Sequence, residues 1–121
     1  GLLGHWAVWT NKAVSLLSEV KQAKENGGLI SRELLTKNID ITDTNSAFFD
    51  TKNQFKGCIA GIHEVLKRQG LLEGIWCLDP KETLSPGQSE EIDRVYQDYP
   101  ELNDDAFIKA NIDTWINELK P

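Results

Sequence analysis

At 121 residues, with 40% hydrophobic and 26% charged residues, the chain has the composition of one globular domain, long enough to bury a core without metals or disulfides. Its net charge of −6 at pH 7 comes with basic residues interspersed among acidic ones, which argues against phosphate binding and so against a nucleic-acid partner. No apolar run approaches the roughly 20 residues of a membrane span, so no membrane partner is expected.

Two cysteines, Cys58 and Cys77, are too few for a disulfide scaffold and lack Cys/His partners at zinc spacing; both are expected to be reduced and buried. The opening GLLGHWAVW has neither a basic region nor a cleavage site of the secretory kind, which makes a cytoplasmic location the expectation. The chain contains no methionine, and we read it as a piece of a longer protein.

In chain order, Trp6, Trp9, Ala13, Leu16, Leu17 and Val20 fall at helical spacing, predicting a first helix from His5 or Thr10 to about Glu25, stopped by Gly27–Gly28. HWAVWT, residues 5–10, also reads as a short strand, with Asn11 then opening the helix as its cap, and periodicity does not decide between the two. Ser31 begins a second helix that runs to about Asp50 through NIDITDTN, whose poor helix formers need support from neighbours or break the helix near Asp43.

The strongest pattern is Phe55 to Pro80. Phe55, Cys58, Ile59, Ile62, Val65 and Leu66 form one helical stripe, with Lys67 and Arg68 in the last turn and Gly70 as a left-handed stop. Leu71, Leu72, Ile75, Trp76 and Leu78 then make an extended apolar tail that requires cover. Ser85 and Pro86 read as the cap and first residue of a fourth helix bearing Ile92, Val95, Tyr96 and Tyr99, ended by Pro100. A fifth helix, capped by Asn103 or Asp104, runs to about Leu119. The expectation is a single all-α domain over residues 1–121: about five helices in an irregular bundle, with residues 5–10 as a leftover strand in the alternative reading.

Little in these elements points to catalysis. His63 beside Glu64 suggests a general base, but adjacent helical residues diverge by about 100°, no nucleophile is placed nearby, and a histidine at a core edge is the ordinary explanation. HEVLK lacks the second histidine of a helical zinc motif. Glu90–Glu91 and Asp104–Asp105 fall where helix dipoles favour acids, and Gly57 and Gly61 suit close helix packing. No catalytic, cofactor-binding or metal residue is therefore assigned, and no cofactor is expected. The residues singled out for a pocket or interface are Trp6, Trp9, Thr10, Asn11 and His63. Trp6, Trp9, Phe48, Phe49 and Trp115 together are the candidates for an aromatic docking groove.

Three stretches carry a family resemblance: GHWAVWTNKAVSLLSEVKQA, NSAFFDTKNQFKGCIAGIHEVLKRQGLLEG and CLDPKETLSPGQSEEIDRV. They resemble, respectively, the last barrel strand with its following helix, the next two helices, and the turn that starts the terminal helix in the dihydrodipicolinate synthase and N-acetylneuraminate lyase family of class I aldolase-type (β/α)8 barrels. The resemblance implies a parent enzyme that forms a Schiff base between a lysine and pyruvate or a related 2-oxo acid. It places this chain as the C-terminal helical segment, with a structural or oligomerisation role and no catalysis of its own. The implied partners are the remainder of the parent barrel or another copy of the chain, in a homo-oligomer. The family's lysine, tyrosine and Gly-x-x-Gly-Glu loop have no counterparts here, and a closed eight-stranded barrel needs about 250 residues. The alternative reading is an independent helical protein–protein interaction module.

Overall fold

The computed structural model describes residues 4–119, which are all-α: five helices and no strand. They are α1 (Thr10–Glu25), α2 (Arg32–Phe48), α3 (Cys58–Arg68), α4 (Gln88–Asp98) and α5 (Asp105–Glu118). The body consists of α2, α3 and α4, each packed on the other two. Its core gathers Val8, Trp9, Ala47, Phe48, Val65, Ile92, Val95 and Leu102.

Of the two starts the sequence allows, α1 takes Thr10 and ends at Glu25 as expected, and residues 5–9 before it are neither strand nor part of that helix. Gly4–Trp6 forms one 3-10 turn and the chain bends into α1 at Trp9, whose φ of 51° is left-handed. A strand needs a neighbour to take its backbone groups. Here they are met locally instead, with Ala7 N–H donating to the Gly4 carbonyl (3.1 Å) and Thr10 Oγ1 to that of Trp6 (2.9 Å). Trp9, and not Asn11, is the cap residue of α1.

Ser31 caps α2 as its sequence predicts, accepting the Leu34 N–H at 3.2 Å. The helix continues unbroken through its Asn/Asp/Thr stretch because the body holds it. Arg94 of α4 makes a two-pronged contact with Asp43 at 2.7 and 3.0 Å, and the Tyr99 hydroxyl donates to the same carboxylate at 2.7 Å.

Between α2 and α3 the chain turns sharply, with Asp50, Gln54 and Phe55 all at positive φ. Asp50 is buried, and its carboxylate accepts from Gly57 N–H (2.8 Å), Asn53 Nδ2 (2.7 Å) and Ser85 Oγ (2.6 Å). Phe55 is thrown outward and is 59% exposed, so it is not part of the α3 core stripe. Ile59 is exposed as well. The face that packs carries Gly57, Ala60, Gly61, Glu64 and Val65. A Cβ at Gly61 would collide with the Phe48 carbonyl oxygen, and one at Gly57 with the Gln88 side chain. Small residues thus let α3 approach the end of α2 more closely than a large apolar stripe would allow.

Gly70 ends α3 in the left-handed region, at φ 77°, as predicted. The tail after it is not covered: Trp76 is 72% exposed and Leu78 fully so. The fourth helix begins later than its sequence suggests, at Gln88, with Gly87 as cap at φ 82°. Ser85 does not cap it, because its hydroxyl is committed to Asp50. Gln88 substitutes by accepting the Ser85 N–H (3.0 Å) while its amide donates to the carbonyls of Gly57, Phe48 and Ala47. One buried amide thereby joins three helices.

Candidate functional site

The first turn of α1 anchors the surroundings of the candidate residues. Trp9 is 4% exposed, with its ring edge-on to Phe48 (centroids 4.9 Å apart) and Tyr96 (5.0 Å), and its Nε1–H donates to the Tyr96 hydroxyl at 3.4 Å. Burial pushes the Tyr96 pKa up to about 12, so the phenol is neutral at physiological pH. Asp104, itself buried, accepts the Asn11 N–H at 2.9 Å and a Gln69 Nε2–H at 2.7 Å. This carboxylate satisfies an orphan N–H at the start of α1 from 93 residues away, the task that a local cap performs in most helices.

Above that anchor lies a cleft of about 250 Å³ between α1, α2 and the Pro100–Leu102 turn. Trp9, Ala13, Leu16, Ile41 and Leu102 supply its apolar lining, and His5, Asn11, Lys12, Ser15, Glu19, Lys37, Thr44 and Glu101 its polar one. Lys37 and Glu19 are paired across it at 2.7 Å. His5 Nδ1 lies 3.4 Å from Asn45 Oδ1. A second, more apolar groove of about 570 Å³, sharing Leu16 with the cleft, is lined by Val20, Ala23, Ile30, Leu34 and Leu35.

Of the five residues singled out from sequence, the cleft brings together Trp9 and Asn11; Trp6, Thr10 and His63 do not line it. His63 also lacks the partner a general base requires. Its Nδ1 is buried without a hydrogen bond, and the neighbouring Glu64 is taken by Arg68 (2.9 Å) and Lys67 (3.6 Å). Of the five aromatics expected to line a docking groove, Trp9 and Phe48 are core residues and Trp6, Phe49 and Trp115 are half-buried. Lys12, Lys37 and Glu101 went unnoticed in the sequence. Only the fold joins Glu101 to the α1 residues, and no local pattern marks that pairing.

The remaining ionisable groups stabilise the body. Arg94, bridging Asp43, Glu91 and Asp98, holds the Asp43 carboxyl below the usual carboxylate range. Burial raises the Asp50 pKa, but the hydrogen bonds from Ser85, Asn53 and Gly57 outweigh it and leave that carboxyl lowered too. Cys58 and Cys77 are free and half-buried, with thiols pushed up by burial, which disfavours the thiolate a nucleophile needs.

Among the described residues no group of three His, Cys, Asp or Glu side chains is placed to hold a metal, and no helix is long and apolar enough to cross a membrane. No protein-family model, curated protein or solved structure matches the chain.

Proposed function

We propose that the chain is the C-terminal helical segment of a dihydrodipicolinate synthase-like lyase of the cytoplasm. In this reading it packs against the rest of the parent barrel and serves structure or oligomerisation rather than catalysis. The observation that carries the reading is that large apolar side chains are left exposed on several elements at once. Val14, Leu17 and Val20 on α1, Leu35 and Ile39 on α2, Leu29 and Ile30 between them, Trp76 and Leu78 after α3, and Ile116 and Leu119 at the end of α5 are all exposed. Soluble monomers rarely expose large contiguous apolar patches. A docking module concentrates such surface in one groove, whereas a segment belonging to a larger body leaves it wherever that body should be. The resemblance of the three stretches to the lyase family names the body.

In such an enzyme the lysine that binds the 2-oxo acid belongs to another part of the protein. The test is the intact mass of the native protein carrying this sequence: a chain about twice as long as this one supports the reading, and a free chain of 13.6 kDa overturns it.

One observation favours the second reading, an autonomous interaction module. Trp9, Phe48 and Tyr96 pack as edge-on rings in the core, with Trp9 Nε1–H donating to the Tyr96 hydroxyl.

A further inference from the structure

The cleft beside Trp9 has a polar lining with unused capacity. One of its charge pairs, Glu19 with Lys37, is satisfied internally. The other two charged groups, the Lys12 ammonium and the Glu101 carboxylate, have no ion-pair or hydrogen-bond partner among the described residues, yet line the same cavity. The side-chain amide of Asn11 is likewise unengaged and only half-exposed. The same cleft has apolar lining from Trp9, Ala13, Leu16, Ile41 and Leu102. A ligand that uses all of these groups carries one anionic and one cationic end together with a compact aliphatic part. An exclusively anionic ligand would leave the carboxylate of Glu101 opposed to it, and a purely apolar one would strand the amide.

We infer that this cleft binds a small zwitterion, a free α-amino acid with an aliphatic side chain. Its carboxylate meets Lys12 and the Asn11 amide, its ammonium meets Glu101, and its side chain rests on the apolar lining that includes Leu16 and Leu102. The cleft volume of about 250 Å³ suits a molecule of that size. The inference is independent of the lyase reading, since every group it uses lies within this chain.

The experiment is a titration of the chain with L-leucine followed by backbone amide chemical shifts. Parallel titrations use 4-methylpentanoate, which lacks the ammonium, and 3-methylbutylamine, which lacks the carboxylate. The expected result is saturable leucine binding with shifts centred on Asn11, Thr44 and Leu102. Either analogue should bind roughly tenfold or more weakly, the scale of one lost charge-assisted hydrogen bond. Lys12→Gln should weaken leucine but not 3-methylbutylamine, and Glu101→Gln should weaken leucine but not 4-methylpentanoate. Both side chains are exposed, so neither change threatens the fold, and an unchanged far-ultraviolet dichroism spectrum checks this. The inference is overturned by absence of saturable shifts at millimolar leucine, by shifts centred elsewhere, or by analogues that bind as well as the amino acid.

Discussion

Replacing Gln88 with methionine keeps the length and flexibility of the side chain while deleting every hydrogen bond it makes. Gln88 is 2% exposed and makes two good bonds, from Ser85 N–H and to the Gly57 carbonyl, each at 3.0 Å. Two longer contacts run to the Phe48 and Ala47 carbonyls at 3.4 and 3.5 Å. Each good bond is worth about 1 kcal/mol net, and a buried group left unpaired costs about 1–3 kcal/mol more. Gln88→Met should therefore destabilise the chain by about 3 kcal/mol, a large share of the roughly 5–15 kcal/mol typical of a domain. Urea unfolding followed by circular dichroism, with Gln97→Met on the exposed face of the same helix as control, measures it directly. In a thermal scan of the same variant, at about 4 °C per kcal/mol for this size, the melting midpoint should fall by about 12 °C. A loss below about 1 kcal/mol would show that the amide does not join the helices as described.

Gly61→Ala should cost about 2–4 kcal/mol by forcing α3 off the Phe48 carbonyl, whereas Ala substitution at the exposed Ile59 should cost much less; thermal denaturation of the pair decides. Asp104→Ala should destabilise by about 1–2 kcal/mol and speed amide exchange at Asn11 in particular, and unchanged exchange there would refute the long-range cap. Asp43 and Asp50 have lowered pKa values in the folded state, so the stability they contribute is fully present above the ordinary carboxylate pKa of about 4. It is lost as pH falls through their folded values. Acid titration should show unfolding stability dropping below about pH 4, with the drop shallower in Asp43→Asn; an identical slope in that variant would remove Asp43 from the account.

What was legible in the sequence was local. The Ser31 cap, the Gly70 stop and the all-α class each depend on residues within a turn or two of one another, and each is present in the structure. Several of the misread parts depend on partners far away in the chain. Hydrophobic spacing placed Phe55 and Ile59 in the core, because periodicity weighs large side chains, while the packed face of α3 is built on glycine and alanine to admit a neighbouring backbone. Ser85 has the local form of a helix cap, but Asp50, 35 residues earlier, takes its hydroxyl. Gln88 and Asp104 look like ordinary polar residues near helix starts, and only the fold reveals them as the joints of the body and of α1. The cleft was half visible: Trp9 and Asn11 are neighbours in sequence, whereas Lys37 and Glu101 reach it from other elements.

The central claim is that this chain belongs to a larger lyase whose Schiff-base lysine lies in another part of the protein. Borohydride reduction of the native protein in the presence of pyruvate, followed by peptide mass mapping, tests it most directly. The account predicts a reduced pyruvate adduct on a lysine outside residues 1–121. A native protein that takes up no pyruvate under these conditions, or one labelled on a lysine within residues 1–121, would contradict it.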